Sequence, residues 1–257
     1  MIEINQLTKA FEQHLVLNKL DLMVKTGETK VIIGRSGVGK SVLLKSIVGL
    51  LKPDFGSVKI NGVDVTTLRE KEYNKIRSEI GMVFQGGALF DSMSVAENVA
   101  FVLDEFMKLD KKTVEDKVHD ALAMVGLQGI EEMMPAKLSG GMKKRVSLAR
   151  VLCMEPEIIL YDEPTSEVDP ITADAINNLI VELHDKLKVT SIVVTHDMNS
   201  AYKVADSMAM FYHGKVIAEG TPEEIKNSRH PVVKQFIHGE AYGPITESEN
   251  LIFGHVK

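Results

Sequence analysis

A glycine-rich stretch near the N-terminus has the residue types and the spacing of a phosphate-binding loop. It consists of Gly34, Arg35, Ser36, Gly37, Val38, Gly39, Lys40 and Ser41. The glycines allow a tight turn whose backbone N–H groups point inward at a phosphate, and the N-terminus of a following helix adds a favourable dipole. In this pattern the lysine reaches the terminal phosphates and the serine holds a magnesium ion. The stretch therefore predicts a site for nucleotide phosphates at Lys40 and Ser41.

Two adjacent carboxylates and a histidine stand where further chemistry is expected. Asp162 and Glu163 follow the apolar run 158–161. Because ligands in open α/β sheets bind beyond the carboxyl ends of the strands, an active-site role explains this pair better than ordinary solvated charge. His196 follows a second strand-like run, 191–195. A single histidine is more often structural, but its position at a strand end favours a role in the same site.

Three other candidates carry weaker signals. Gln85 ends the short apolar run 80–84. Ser139 opens a helix with two glycines after it, where free N–H groups could face an anion. A simple helix cap explains Ser139 equally well. Phe11 lies between two predicted strands, and the sequence favours a core aromatic there over a ring stacked on a purine.

The predicted elements around these residues indicate an α/β fold. The apolar run 31–33 precedes the glycine-rich stretch and the helix-like segment 42–48 follows it, which is the strand, loop and helix order that phosphate binding requires. Segments 2–7 and 16–24 alternate apolar and polar residues and predict two strands. A hairpin is predicted over 58–62, because that segment ends in Asn61-Gly62. The N-terminal region is therefore expected to be β-rich.

Helical periodicity replaces the β signal after Gly86. A predicted capping box at Thr113 and Asp116 precedes a helix whose apolar face comprises Val114, Val118, Leu122 and Val125. A later helix begins near Asp169, and its apolar stripe is predicted core: Ile176, Leu179, Ile180, Leu183 and Leu187. The pattern indicates a helical insertion, followed by alternating strands and helices and a closing hairpin over 207–219.

Composition and charge restrict the class of protein. The chain has 257 residues, a net charge of −6 and one cysteine, Cys153, so no intramolecular disulfide can form. The first residues lack the features of a signal peptide, and no apolar stretch approaches the ~20 residues that span a bilayer. We therefore expect a cytosolic protein whose membrane role, if any, requires a partner. The negative charge argues against nucleic-acid binding, which usually requires a basic face.

Taken in order, these motifs resemble those of the nucleotide-binding ATPase of ABC transporters, from the first strand to about Ile225. The resemblance implies Walker A at 34–41, the Q-loop at Gln85, the LSGGQ element at 138–142, Walker B at 158–162, the catalytic glutamate at Glu163, the D-loop at 166–169 and the switch histidine at His196. It also implies an ATP site with Mg²⁺ held by Ser41, Gln85 and Asp162. The nucleotide-binding residues would be Phe11, Gly34, Arg35, Ser36, Gly37, Val38, Gly39, Lys40, Ser41, Val42, Gln85, Ser139, Gly140, Gly141 and Asp162.

The fold that this resemblance implies is a P-loop NTPase of ABC type. It has a β-rich N-terminal edge and a helical subdomain, here about 86–155, inserted in a RecA-like core. The nucleotide-binding domain would comprise residues 1–225, and residues 226–257 would form a C-terminal extension. By the same resemblance the protein is a homodimer in which Ser139 contacts the partner's ATP across a two-fold interface.

Two residues depart from the ABC pattern. Met142 replaces the usual glutamine of the LSGGQ element, and Glu167 with Val168 stands where the D-loop usually reads Ala-Leu. The first change is expected to be tolerated if the Met142 side chain points away from phosphate. The carboxylate of Glu167 near the dimer interface could alter communication between the two sites.

A narrower resemblance is to the ATPases of Mla/Mce-type phospholipid transporters. It rests on 84–100, 138–142 and the tail segment 235–245. It implies a homodimer on the cytoplasmic side of the inner membrane, bound to an integral-membrane permease and an Mce-domain lipid-binding protein. We expect the permease to contact 86–101, whose apolar residues include Leu89, Phe90, Met93 and Val95. The alternative is that these residues pack under the helical insertion, which explains Leu89 and Phe90 equally well.

The tail beyond the expected domain is unusually apolar. Its large apolar residues are Val232, Val233, Phe236, Ile237, Tyr242, Ile245, Leu251, Ile252 and Phe253, and disordered tails are normally poor in such residues. Gly239, Gly243 and Pro244 predict that a short helix ends after Ile237 and continues as an extended arm. The arm could dock on its own domain or on the second protomer, and we favour the second protomer.

Three alternatives remain open at this stage. One is the ATPase of another ABC importer or exporter. Another is a soluble ABC protein acting on DNA or ribosomes, although the separation of Lys40 from Ser139, about a hundred residues, is too short for a long coiled-coil insertion. The third is a P-loop small-molecule kinase, which would not need the motifs at Ser139 and His196.

Overall fold

The computed structural model describes residues 1–12, 14–107 and 109–250. The strands are β1 (Ile2–Phe11), β2 (His14–Val24), β3 (Thr29–Ile33), β4 (Phe55–Ile60), β5 (Val63–Asp64), β6 (Ile80–Val83), β7 (Ile158–Asp162), β8 (Thr190–Thr195), β9 (Ser207–Tyr212) and β10 (Lys215–Gly220). The helices are α1 (Lys40–Ile47), α2 (Glu70–Arg77), α3 (Val95–Phe106), α4 (Lys111–Met124), α5 (Gly140–Leu152), α6 (Pro170–Leu187), α7 (Met198–Val204), α8 (Pro222–Lys226), α9 (Pro231–His238) and α10 (Pro244–Asn250).

The central sheet has the order β10-β9-β3-β8-β7-β6. Every neighbouring pair from β9 to β6 is parallel, and β10 joins β9 as an antiparallel hairpin. Strands β3, β6, β7 and β8 are buried along their whole length, as expected of a parallel sheet covered on both faces. Their carboxyl ends meet at one edge of the sheet, which brings the glycine-rich loop, Gln85, Glu163 and His196 to the same place.

A second, antiparallel sheet has the order β2-β1-β4-β5. Its inward side chains share one apolar core with α1 and the central sheet, including Ile4, Leu17, Ile32, Leu44 and Phe211. The turn from β4 to β5 has positive φ at both Asn61 (48°) and Gly62 (83°), as a type I′ hairpin requires. The β-rich N-terminal edge and this hairpin are confirmed.

Helices α3, α4 and α5 lie in sequence between strands β6 and β7 and share a second apolar core that contains Val99, Leu122 and Val146. The predicted capping box of α4 is wrong. Helix α4 begins at Lys111, because the Asp110 carboxylate accepts a hydrogen bond from the backbone N–H of Thr113 at 3.1 Å. Asp110, three residues before Thr113, is therefore the N-cap residue, and its carboxylate accepts from a backbone N–H group of the first helical turn.

The tail folds back onto its own domain, because Ile245 packs in the apolar core of its own chain. The favoured docking of this segment on the second protomer is therefore wrong. The left-handed Gly239 (φ 66°) ends α9. The extended conformation predicted for 244–250 is wrong, because Pro244 begins helix α10, and proline suits the first turn of a helix as well as a break. Ile245 is only 4% exposed, and its N–H donates to the buried Gln235 side chain at 2.7 Å. The predicted apolar positions Leu251, Ile252 and Phe253 lie outside the described residues.

Ending the chain at His238 is expected to lower the melting temperature without preventing folding. Burial of Ile245 contributes ~1.5–3 kcal/mol, partly offset by the entropy lost when α10 is ordered. Each kcal/mol lost lowers Tm by roughly 2–4 °C in a chain of this size. Thermal melting would be compared with a control that ends at Asn250. Equal melting temperatures for the two truncations would contradict docking of α10 on its own domain.

Within the residues that the structure describes, no helix is both long enough and apolar enough to cross a membrane.

Candidate active site

The glycine-rich loop connects β3 to α1 and takes its shape from two glycines. Gly34 has φ of 152°, and a Cβ there would lie 2.7 Å from the carbonyl O of Phe211. Gly39 has φ of 103°, and a Cβ there would lie 3.0 Å from the side chains of Val16 and Leu17. Larger residues would push the loop away from the sheet, so both positions require glycine.

Lys40 is the first residue of α1 and is only 5% exposed. Its Nζ donates hydrogen bonds to the carbonyl oxygens of Gly34 at 2.6 Å and Arg35 at 3.0 Å, and lies 3.5 Å from Oε1 of Glu163. Burial lowers the pKa of Lys40, and the nearby carboxylates of Glu163 and Asp162 oppose that shift. The ammonium group is therefore held inside the loop, facing the carboxylate at the end of β7.

Ser41 and Asp162 form the second element of the site. Ser41 Oγ donates to Asp162 Oδ1 at 2.8 Å. The pKa of Asp162 is raised above its usual range, mainly by burial. The hydrogen bond from Ser41 opposes this shift, and the charge of Glu163 adds to it. A hydroxyl and a carboxylate are hard oxygen ligands of the kind that Mg²⁺ prefers. Ser41 and Gln85 line one cavity. Together with Asp162, they fit a magnesium site.

Glu163 lies between Lys40 and His196. Its Oε2 is 3.0 Å from Nδ1 of His196 and 3.4 Å from the His196 backbone N–H, whereas Oε1 faces Lys40. The backbone of Glu163 is left-handed, with φ of 49°, which is uncommon for a residue other than glycine. The carboxylate is positioned to accept a proton or to orient a water.

Lys40, Ser41, Glu163 and His196 open onto a cavity of about 340 Å³. Asp162 is not a lining residue and reaches the cavity only through its hydrogen bond from Ser41. Its lining residues are Phe11, Val16, Ser36, Gly37, Gly39, Lys40, Ser41, Val42, Gln85, Glu163 and His196. Phe11 is 42% exposed, so the expectation that favoured a core aromatic is wrong. Sequence reasoning missed Val16, which carries no signal beyond the ordinary alternation of β2. The other predicted loop residues, Gly34, Arg35 and Val38, belong to the same loop but are not among the lining residues.

The structure does not bring the Ser139 segment into this cavity. Ser139 caps α5, and its Oγ accepts from the Met142 N–H at 3.2 Å. Gly140 and Gly141 form the first turn of α5, and a Cβ on Gly141 would lie 2.5 Å from Cγ2 of Thr172 in α6. Met142 packs against the apolar core. The segment is thus a helix cap packed on its own chain, and its predicted contact with nucleotide requires something beyond one protomer.

A family model described as "ABC transporter" matches residues 17–166, more than half of the sequence. The chain belongs to the ABC transporter family. This ABC protein is 42% identical over 248 residues to the probable ribonucleotide transport ATP-binding protein mkl of Mycobacterium tuberculosis, which covers 96% of this chain and 69% of the relative. It is 40% identical over 245 residues to the intermembrane phospholipid transport system ATP-binding protein MlaF of Haemophilus influenzae, covering 95% and 93%. It is also 40% identical over 243 residues to the methionine import ATP-binding protein MetN 1 of Bacillus cereus, covering 93% and 70%.

A solved structure agrees with this assignment. The ATP-binding cassette MJ0796, in a dimeric post-hydrolysis state bound to ADP and Pi, matches with a TM-score of 0.80 and 32% identity, covering 86% of this chain and 99% of that chain. The expected fold class, an ABC-type P-loop NTPase, is confirmed. The protein is an ATPase and the ATP-binding subunit of an ABC transporter.

Proposed function

We propose that this ABC ATPase powers a transporter that moves phospholipid or a related lipid between membranes. The observation that carries the proposal is the likeness to MlaF, which covers 95% of this chain and 93% of that one. The likeness to MetN 1 at the same 40% identity supports a second candidate, the ATPase of an amino-acid importer. The match to MetN 1 covers a smaller share of the relative, 70%, which is why we favour lipid transport.

For hydrolysis, we assign the phosphate contacts to Lys40 and the amides of the glycine-rich loop. Ser41, Asp162 and Gln85 would hold Mg²⁺, which when bound neutralises phosphate charge. Glu163 polarises the attacking water, and His196 contacts the γ-phosphate while holding the Glu163 carboxylate in place. Since phosphoryl transfer depends mainly on positioning and charge stabilisation, the chain needs to supply no covalent nucleophile.

We assign the purine to the face of Phe11. Its ring lines the cavity and is 42% exposed, and the ammonium group of Lys9 lies 5.5 Å from the ring centroid. Stacking on a base requires an accessible aromatic face, and cation contact is compatible with one. Val16, on the adjacent strand β2, extends the apolar surface of that wall of the cavity.

The Ser139 segment completes the site of a second copy in our proposal. Ser139 caps α5 and does not line the cavity of its own chain, and free N–H groups at a helix N-terminus suit an anion. A two-fold dimer in which each Ser139 reaches the partner's ATP uses the same surface on both protomers. The dimer would bind an integral-membrane permease and an Mce-domain protein, at the cytoplasmic side of the inner membrane.

Crosslinking is expected to join Ser139→Cys of one protomer to Ser36→Cys of another, in the presence of ATP. Ser36 lines the cavity, and the native Cys153 is buried, which raises the pKa of its thiol to about 11 and disfavours reaction with the reagent. Differently tagged chains, one carrying each cysteine, would be treated with a short bifunctional maleimide. Thr67→Cys, an exposed position after β5, replaces Ser36→Cys in the control. No link between the two differently tagged chains, or equal linking with the Thr67→Cys control, would rule the arrangement out.

A groove next to Gln85 is the surface that we assign to the permease. It encloses about 380 Å³, and its apolar lining includes Leu50, Phe84, Phe90 and Phe101. Phe90 is 41% exposed, with its ring 4.7 Å from that of Phe101. The surface expected over 86–101 is thus narrower than the sequence suggested, because Val95 is fully buried and Leu89 packs against the core.

Phe90→Glu is expected to abolish transport by the reconstituted complex and to leave the ATPase rate of the isolated subunit within about twofold. A charge in the groove would oppose docking of an apolar permease segment, whereas Phe90 contacts no group that we assign to hydrolysis. Phe55→Glu on β4, where the ring is 75% exposed, is the matched control. Equal transport by the two variants would contradict the assignment.

The proposed function is tested by purifying the native complex and identifying the proteins and lipids that accompany it. Recovery of a permease and an Mce-domain protein with bound phospholipid is the expected result. Recovery with an amino-acid-binding protein would favour the importer. Recovery with ribosomes or DNA and no membrane protein would overturn the proposal that this ATPase powers a lipid transporter.

A further inference from the structure

Lys144 is a buried cation that the motifs do not explain. It lies in the second turn of α5, five residues after Ser139, and is 7% exposed. Its ammonium group donates to the carbonyl oxygen of Gln85, to Ser166 Oγ at 3.2 Å and to the carbonyl oxygen of Glu163 at 3.5 Å. One side chain of the helical subdomain thus contacts the segments that follow β6 and β7.

The environment of Lys144 is polar enough to hold a buried charge. Burial lowers the pKa of Lys144. The negative charges of Glu167, Glu163 and Asp162 oppose that shift, and the effect of Glu167 is the largest of the three. A buried ammonium without hydrogen bonds would be strongly unfavourable. Removing its charge or its donors therefore affects the groups that surround it as well as the lysine itself.

The contacts of Lys144 close a small network around the backbone of Glu163. Ser166 Oγ, which accepts from Lys144, itself donates to the Glu163 carbonyl at 2.9 Å. Glu163 has the left-handed φ of 49°, which is uncommon for a residue other than glycine. The network holds the carbonyl oxygen of this residue from α5 and from the loop after β7.

A second cation of α5 holds the adjacent part of the Q-loop. Arg150 is buried, and its guanidinium donates to the carbonyl oxygens of Gly87 and Ala88, both at 2.8 Å. Together, Lys144 and Arg150 fix the backbone from Gln85 to Ala88 relative to α5. Only Lys144 also reaches Glu163, so it joins the two segments.

We propose that Lys144 is a positioning residue for ATP hydrolysis. Through the backbone carbonyls of Gln85 and Glu163, it makes the placement of both side chains depend on the position of α5. Movement of the helical subdomain would therefore change the geometry at Glu163 without Lys144 itself touching ATP. The inference rests on the roles proposed above for Gln85 and Glu163.

Lys144→Met is expected to lower kcat about tenfold, to leave KM for ATP within about twofold, and to leave ATP affinity intact. Lys144→Gln, which keeps an N–H donor without the charge, is expected to lose only about threefold. Lys111→Met on α4 makes the same change at a lysine whose side chain is 91% exposed and serves as control. A purely structural lysine would instead lower Tm and the active fraction, leaving kcat per folded molecule unchanged.

A double-mutant cycle with Gln85→Ala provides the decisive comparison. If Lys144 acts partly through Gln85, Lys144→Met costs less in the Gln85→Ala background than in the parent chain. Fully additive effects, or equal kcat for Lys144→Met and Lys111→Met, would overturn the proposal. If Lys144→Met fails to fold, Lys144→Gln is used in the same cycle with the same criteria. Glu163→Gln separates the two claims, because normal turnover by that variant would refute the proposed site itself.

Discussion

Glu163→Gln is expected to lower ATP turnover by roughly 10²–10⁴-fold, the usual contribution of a positioned general base, while ATP binding is retained. Glutamine has the shape of glutamate and can keep a contact with His196, whose Nδ1 lies 3.0 Å from Oε2. It cannot accept a proton from water. The glycine-rich loop and Lys40 are unchanged, so the phosphates still bind. ATP should then accumulate in a closed dimer.

Two measurements test this result: steady-state turnover, and dimerisation by analytical ultracentrifugation with and without ATP. Glu115→Gln on α4, where the side chain is 64% exposed, makes the same chemical change away from the cavity and should behave like the parent. Turnover near the parent rate would transfer catalysis from Glu163 to another group. Loss of ATP binding would show instead that the carboxylate is needed to hold Lys40.

The sequence predicted best the features that are set by neighbouring residues. Glycine-rich loop, strand and helix occur in the required order within 31–48, and the carboxyl ends of buried strands carry Glu163 and His196. Parallel pairing of β3, β8 and β7 brings these ends together, so the site follows from local patterns plus one rule of sheet topology. That is why its main residues could be named before the fold was known.

Prediction from the sequence failed where contacts between residues distant in the chain, or two opposite roles of one residue type, determine the structure. Phe11 ends an ordinary strand, and only the placement of that strand end beside the glycine-rich loop puts its ring at the cavity. Lys144 is one of two adjacent lysines in α5, and its proposed role depends on carbonyl groups 59 and 19 residues away. Pro244 predicts a helix break by its type but begins α10, because proline also suits the first turn of a helix. Periodicity reports none of these contacts.

Lys40→Ala is expected to weaken ATP binding itself rather than the chemical step. A hydrogen bond to a charged group contributes ~1.5–3 kcal/mol, which corresponds to about a 10–100-fold increase in Kd. The loss is expected at the upper end of that range because Lys40 also faces Glu163, with Nζ 3.5 Å from Oε1. Without the ammonium group, that carboxylate would stand uncompensated against the phosphates.

Calorimetric titration with ATP and the rise in Tm at saturating ATP give two independent measures of the effect, since a ligand stabilises the folded state according to its Kd. Lys52→Ala, at an exposed position beyond α1, is the control for loss of one positive charge. The Tm without ATP must also be compared, because Lys40 is buried and its truncation leaves a space beside the carbonyl oxygens of Gly34 and Arg35. An unchanged Tm without ATP, together with a lost response to ATP, isolates the phosphate contact. Parent-like ATP affinity would contradict the role of Lys40, and the phosphate site would then have to be assigned to backbone amides alone.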